Sequence, residues 1–355
     1  MTIRDVAALA RVSVGTVSAV LNRQSTVSEG TRQRVMESIE ALSYKPNSNA
    51  RSLKRPRLSS IGLIVPDLQN PFFSSIAEGV QDILEEHDIL LVLCMTGGRA
   101  EREQYYAQAL QSARLDGVIY LTGSGVPSPS LMRLAKSKQI ILVDESVPGV
   151  VIPFVGTQNR HGAFLLARHV LSQGHRKVGI IGGPPRLWTS EQRLAGYREA
   201  MAASGLDPDS GLLAEGEYDE ASGYRLARVL LETDPGLTVL LCANDLMAIG
   251  AIRYCREAGI DVPADVSITG FDNIATSSLL EPALTTVAQP GHEMGQAAAA
   301  LLLHHIKGTA PPETVEFPTR VCLRDSVAPP RPAPGGGPGS PRGGGPGPGG
   351  VGGPG

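Results

Sequence analysis

The chain has 355 residues, 32 Lys and Arg against 35 Asp and Glu for a net charge of −3, and 42% hydrophobic residues. That is long enough for two or three domains with cores of their own, in the composition range of soluble globular proteins. It excludes a membrane-spanning chain, since the longest apolar run, ILLVLCM at 89–95, is far too short to cross a bilayer. Charge is unevenly spread. Residues 1–58 carry ten Lys and Arg against four acids, a net +6, which leaves −9 on the rest. A small basic head on an acidic body points to a polyanion as partner of the head alone.

In chain order, residues 2–43 read as three short helices. Thr2 and Asp5 have the spacing of a capping box ahead of VAALA, with Asp in place of Glu or Gln. RVS at 11–13 is a tight turn, and Ser13 can cap the second helix. In that helix Val17, Val20 and Leu21 mark a buried face. Its other face carries Gly15, Thr16, Ser18, Ala19 and Asn22, small or polar and without charge. Ser28 is placed to cap a third helix whose Val35, Met36, Ile39 and Leu42 form an apolar stripe. Three short helices with a tight turn before the second make a helix-turn-helix pattern. Residues 44–57, YKPNSNARSLKRPR, form a basic joint between Pro46 and Pro56 with too little apolar surface to fold alone.

From residue 58 short apolar runs alternate with helical stretches: SIGLIVP, ILLVLC, DGVIYL, QIILVD, KVGIIGG, TVLLCAND and DVSITGFD. This is the rhythm of a parallel sheet with helices on both faces. It runs twice, from SIGLIVPDLQNPFF and again from KVGIIGGPPRLW, which implies two α/β lobes with a cleft between them. Cys94, Cys242 and Cys322 lie in apolar runs and read as buried reduced thiols; no CxxC or zinc-like cluster exists. Residues 328–355 are almost wholly Pro and Gly and are expected to be disordered. MTIRDVAAL has no apolar signal region, so a cytoplasmic protein is expected.

Strand C-terminal ends are where such sheets bind ligands. Asp144 ends IILVD, Asn244 and Asp245 follow VLLCA, and Asp272 follows ITGF. Phe72 and Phe73 follow QNP, Arg193 begins a helix, Tyr218 lies in EGEYDEASGY, and Gln289 follows LTTVA. Acids, amides and an Arg around aromatic faces suit a polyhydroxylated ligand. Phe73 reads equally as plain core, Asp245 reads first as a helix N-cap, and Asp272 with Arg193 could be a structural ion pair. Trp188 reads as a loop residue near the cleft mouth that either covers a ligand or simply packs. No phosphate loop, HExxH or GxSxG motif occurs, so no enzyme, cofactor or metal is expected.

The stretch IRDVAALARVSVGTVSAVLN…VSEGTRQRVMESIEALSYKPNSNARSLK resembles the DNA-binding head of the LacI/GalR family of bacterial transcription regulators. The body, from SIGLIVPDLQNPFF to RVCLRDSVAPP, resembles that family's ligand-sensing core, which is similar to periplasmic sugar-binding proteins. The resemblance implies a helix-turn-helix domain at 1–45, a hinge helix or linker at 46–57, a two-lobed sensing and dimerisation core at 58–327, and a tail at 328–355. Lobe 1 would take about 58–155 and 287–316, lobe 2 about 156–286 and 317–327. It implies a homodimer on double-stranded operator DNA, acting as a repressor and controlled by a small effector of the carbohydrate class. Val14, Gly15 and Ala19 then take base-facing positions, with Ser13, Thr16, Ser18 and Asn22 near phosphates. Family members commonly carry Arg or another long polar residue where Ala19 stands. In the joint, Leu53 would wedge between base steps, supported by Ala50, with Asn47, Arg51 and Lys54 beside the DNA. In the core, Phe72, Phe73 and Tyr218 would be walls, and Asp144, Arg193, Asn244, Asp272 and Gln289 polar clamps. A transport binding protein and an enzyme with a grafted DNA-binding head are the competing classes. The head counts against the first, and the lack of a nucleophile or metal constellation against the second.

Overall fold

The computed structural model describes residues 1–21, 27–42, 44, 58–113, 115–137, 139–309, 314–331, 353 and 355. Two compact units emerge, 1–58 and 59–355. The joint residues Asn47, Ala50, Arg51, Leu53 and Lys54, and Asn22 of the head, lie outside the described residues.

The first unit holds α1 (Ile3–Ala10), α2 (Val14–Leu21) and α3 (Glu29–Ala41). Thr2 N and Oγ1 both donate to Asp5 Oδ2, at 2.6 and 3.0 Å, which starts α1. Arg11 ends it in the left-handed region, and Ser13 Oγ accepts from Thr16 N at 3.0 Å to start α2. Val6, Val17 and Val35 meet as a fully buried centre, with Val20 beside them. Two expectations fail here. Met36 is 53% exposed, because the stripe of α3 is narrower than four residues. Ser28 stands at the N-cap, but its hydroxyl donates to Thr31 Oγ1 at 3.0 Å and caps no backbone group.

The second unit contains two parallel sheets. In the first lobe the order is β11-β5-β4-β3-β1-β2. Its strands are β1 (Ser60–Val65), β2 (Leu90–Met95), β3 (Gly117–Tyr120), β4 (Ile140–Val143), β5 (Phe154–Thr157) and β11 (Thr314–Phe317). In the second lobe the order is β7-β6-β8-β9. Those strands are β6 (Val178–Gly182), β7 (Leu212–Glu215), β8 (Val239–Cys242) and β9 (Ser267–Thr269). Central strands β1, β3, β4, β6 and β8 are apolar runs buried on both faces, as a sheet covered by helices on each side requires. The lobe 1 helices are α4 (Pro71–Glu86), α5 (Ala100–Ser112), α6 (Pro129–Ser137) and α11 (Gly291–Ile306). Those of lobe 2 are α7 (Asn159–Ser172), α8 (Trp188–Ala203), α9 (Glu220–Thr233) and α10 (Asp245–Ala258). Helix pairs approach at glycines. A Cβ on Gly295 would sit 2.1 Å from Ile76 O, and one on Gly250 2.1 Å from Glu220 O.

The described chain passes between the lobes near 157–159, 288–291 and 317–320, where β10 (Thr286–Ala288) pairs antiparallel with β12 (Arg320–Cys322). Cys94, Cys242 and Cys255 are buried, while Cys322 on β12 is only half-buried, contrary to expectation. Residues 328–331, placed with the tail, are instead tied to lobe 2. His175 Nε2 donates to Ala328 O at 2.9 Å, Ala328 N donates to Ser267 Oγ at 3.1 Å, and Arg331 pairs with Asp265. Residues 332–352 and 354 of that tail lie outside the described residues. No helix among the described residues is long and apolar enough to cross a membrane.

Candidate functional site

Between the lobes lies a cavity of about 420 Å³. Phe72, Phe73, Asp144, Arg193, Tyr218, Asn244 and Asp272 all line it. Each except Arg193 follows the C-terminal end of a parallel strand, where helix N-termini and loops converge. The aromatic wall is set by local sequence. Asn70 caps α4, its Oδ1 accepting from Phe72 N at 3.1 Å, and Pro71 takes the first helical position. Phe72 is then buried, and Phe73 is half-buried at a ring distance of 5.8 Å, a cleft residue as well as a packing one.

Arg193, 3% exposed, is the electrostatic centre. It lies in the second turn of α8, not at its start. Its Nε donates to Asn159 Oδ1 at 2.8 Å and its Nη1 to Ala243 O at 2.7 Å; Asp272 Oδ1 is 3.6 Å from Nη1. The guanidinium also sits 4.0 Å from the Phe271 ring centre. Burial lifts the Asp272 carboxyl to about 7 against the pull of Arg193. Asp144 is raised by burial, again opposed by Arg193. Its neighbour Glu145 is raised by burial and by the charge of Asp144. Asp144 Oδ1 is buried with no hydrogen-bond partner, a costly state that a ligand donor would relieve.

Asp144, Tyr218, Asp272 and Asn273 all have φ between +59° and +109°. None is glycine, so strained backbone gathers at the strand ends that face the cleft.

The remaining assignments change. Gln289 does not line the cavity; it is buried behind it. Its Nε2 donates to Asp272 Oδ1 at 2.7 Å and its Oε1 accepts from Thr157 Oγ1 at 2.5 Å. It orients Asp272 from the crossover. Asn244, not Asp245, caps α10, its Oδ1 accepting from Met247 N at 2.9 Å while its Nδ2 donates to Tyr218 O at 2.9 Å. Asp245 is fully buried, accepting from Ile274 N and Thr286 Oγ1, with its carboxyl lifted by burial to about 8. Trp188 opens α8 and packs edge-on against Phe154, at 5.6 Å, outside the cleft lining.

Sequence reasoning missed two acids. Glu145, reaching from lobe 1, accepts from Thr189 N at 3.1 Å and from its hydroxyl, bridging to the start of α8 in lobe 2. Glu103, on α5 and 1% exposed, gathers the turn after β3. It accepts from Tyr120 Oη, Thr122 Oγ1, Ser124 Oγ and the backbone N–H groups of Gly123 and Ser124. Thr122 and Gly123 line the cleft. The only sequence signal was an acid preceding a polar TGSG turn.

In the head, Val14 and Gly15 are exposed and Thr16, Ser18 and Ala19 half-exposed. Gly15, Thr16 and Ala19, with Ser13 and the start of α3, border a shallow concave face, and Val14 and Ser18 lie outside its lining.

The sequence profile of bacterial regulatory proteins of the lacI family matches residues 2–47, and that of a periplasmic binding protein-like domain matches 167–327. The chain is 36% identical over 328 residues to a ribose operon repressor of Halalkalibacterium halodurans, covering 92% of this chain and 97% of that one. It is similar to a lac repressor dimer bound to operator and the anti-inducer ONPF (TM-score 0.81, 27% identity, 92% and 99% covered). It is also similar to a LacI family regulator from Enterococcus faecium with bound ribose (TM-score 0.70, 30% identity, 76% and 99% covered).

Proposed function

This chain belongs to the lacI family of bacterial regulatory proteins and is a DNA-binding transcriptional regulator, not an enzyme; from that premise we propose that a sugar or sugar derivative bound between its lobes controls its affinity for operator DNA. The carrying observation is the cleft itself: six polar and aromatic residues from both lobes converge around Arg193, and Asp144 Oδ1 lacks a donor. A polyol supplies such donors and stacks its C–H face on Phe73. Residues 1–45 read the major groove through α2, 46–57 form the hinge with Leu53 as wedge, and 58–331 form the sensor, with the tail following it. Ser13, Val14, Gly15, Thr16, Ser18, Ala19 and Asn22 form the DNA face, joined by Asn47, Ala50, Arg51 and Lys54.

The working unit is a homodimer. Edge strand β2 exposes Leu90 at 65% and Met95 at 51%, with Leu93 between them. Such an apolar edge is a liability unless a second copy covers it. Repression follows from operator occupancy, and effector and DNA affinities are reciprocally linked. Binding-site selection on randomised duplexes, followed by titration of the selected duplex with D-ribose and cellobiose, tests the reading. A change in operator affinity with sugar is expected. Selection that yields no preferred site, or an affinity indifferent to every sugar that binds, overturns it.

A further inference from the structure

Resting on that reading, we infer that the cleft is built for an uncharged polyhydroxy ligand and rejects the phosphorylated form of the same sugar. Three carboxylates stand deep in the cavity, Asp144, Glu145 and Asp272, against the single guanidinium of Arg193. Three more stand at its rim, Asp67, Glu217 and Asp219, against Arg186 alone.

The devices that usually hold a phosphate are already occupied by the protein's own groups. The start of α8 is taken by Glu145, which accepts from Thr189 N at 3.1 Å. Ahead of α4, Gln69 N and Asn70 N both donate to Asp67 Oδ1, at 2.8 and 2.9 Å. Asp219 caps α9 through Ser222 N at 2.7 Å, and Asn244 caps α10. Arg186 pairs with Glu217 at 3.4 Å. Arg193 spends Nε on Asn159 and Nη1 on the Ala243 carbonyl, and it stands beside Asp272. The Nε and Nη1 groups of Arg193 and the Nη2 group of Arg186 are therefore already engaged by the protein's own acceptors.

What does wait is an acceptor. Asp144 is 5% exposed, lines the cavity, and its Oδ1 has no partner. A sugar hydroxyl donates to it; a phosphate oxygen dianion cannot, and would face it as a like charge. The acid surplus and the unpartnered oxygen both select against a negative ligand.

The test uses the full chain at about pH 8.5, above the raised pKa values of Asp272 (about 7) and Glu145 (about 8), and paired probes: D-ribose beside D-ribose 5-phosphate, and D-glucose beside D-glucose 6-phosphate, with cellobiose. Calorimetric titration should show at least one neutral sugar binding, with its phosphate ester at least about 100-fold weaker. An ester that binds within about tenfold of its parent overturns this inference and leaves the carbohydrate reading intact. If neither sugars nor esters bind, the carbohydrate reading itself falls. Asp144→Asn should narrow the sugar-to-ester ratio by about tenfold, and an unchanged ratio removes Asp144 as the discriminator. Should that variant not fold, Asp67→Asn with Asp219→Asn at the rim should narrow the ratio severalfold; no narrowing overturns the electrostatic argument.

Discussion

Replacing Arg193 by Met keeps the length and apolar stem of the side chain and deletes its charge. At pH 8 the loss has two parts. The acceptors Asn159 Oδ1 and Ala243 O lose their donor, at about 1–3 kcal/mol. The buried carboxyls of Asp144 and Asp272 also lose their only deep counter-charge, which brings the total to about 3–5 kcal/mol. In a unit of this size that lowers Tm by about 10 °C. At pH 5 the second part disappears. Arg193 holds both carboxyls below where burial alone would put them, so its removal raises their folded-state pKa further. A raised pKa contributes stability that is complete below the unfolded value near 4 and is lost as pH rises through the folded value. Wild type finishes losing the Asp272 contribution at about 7, whereas the variant goes on losing it above that. The deficit should therefore be smaller at pH 5 than at pH 8 in thermal melts followed by circular dichroism. Adding Asp144→Asn and Asp272→Asn should restore the charge part of the pH 8 deficit, about 2 kcal/mol, and leave the part due to the stranded acceptors. Equal deficits at both pH values, or no recovery in the triple variant, would refute the charge argument.

Glu103→Ala should cost about 3 kcal/mol in denaturant melts, since it strands five donors, and should weaken sugar binding through the Thr122–Gly123 lining. The ligand-free protein should lose stability from pH 5 to pH 8, because Asp245 and Asp272 titrate at about 8 and about 7 in the fold; Asp245→Asn should flatten that slope by up to about 1.4 kcal/mol per pH unit. Gly295→Val should break the α4–α11 packing and drop Tm sharply, since even a Cβ would lie 2.1 Å from Ile76 O. Ala19→Arg should add a guanine preference at one symmetric pair of operator positions, worth about 1–3 kcal/mol of discrimination and readable in binding-site selection.

What was legible in the sequence was local. The buried strands announced themselves as apolar runs, because a strand covered on both faces needs no alternation. The turn at Arg11–Ser13 and the face of α2 followed from capping and from period 3.6. Strands β7 and β12 were not legible. LLAE sits at a sheet edge half exposed, and RVC exists as a strand only because β10 pairs with it across more than thirty residues. Seven of the eight core candidates share one cavity because strand ends carry a positional rule. Gln289 obeyed the same rule yet turned away to Thr157 and Asp272, since a crossover passes there. Glu103 is a helix residue whose partners belong to a turn about twenty residues later, and no pattern within the helix marks it.

Those crossovers are also where the ligand cleft meets the segments that join the two lobes. A chain of contacts runs from Arg193 to Asn159, from Asn159 Nδ2 to Thr157 Oγ1 at 3.1 Å, on to Gln289, and back to Asp272. It closes through two of the three places where the described chain changes lobe. Around it stand residues held at positive φ, each costing of order 1–3 kcal/mol, and a carboxylate oxygen with no donor. The same groups that line the cleft therefore carry unfavourable free energy. On the proposed reading, a sugar hydroxyl donating to Asp144 would release part of it beside Arg193 and Asp272, whose charges interact with that carboxyl. Differential affinity of this kind is what a two-state regulator requires, because a ligand shifts an equilibrium only by the difference in its free energy of binding to the two states.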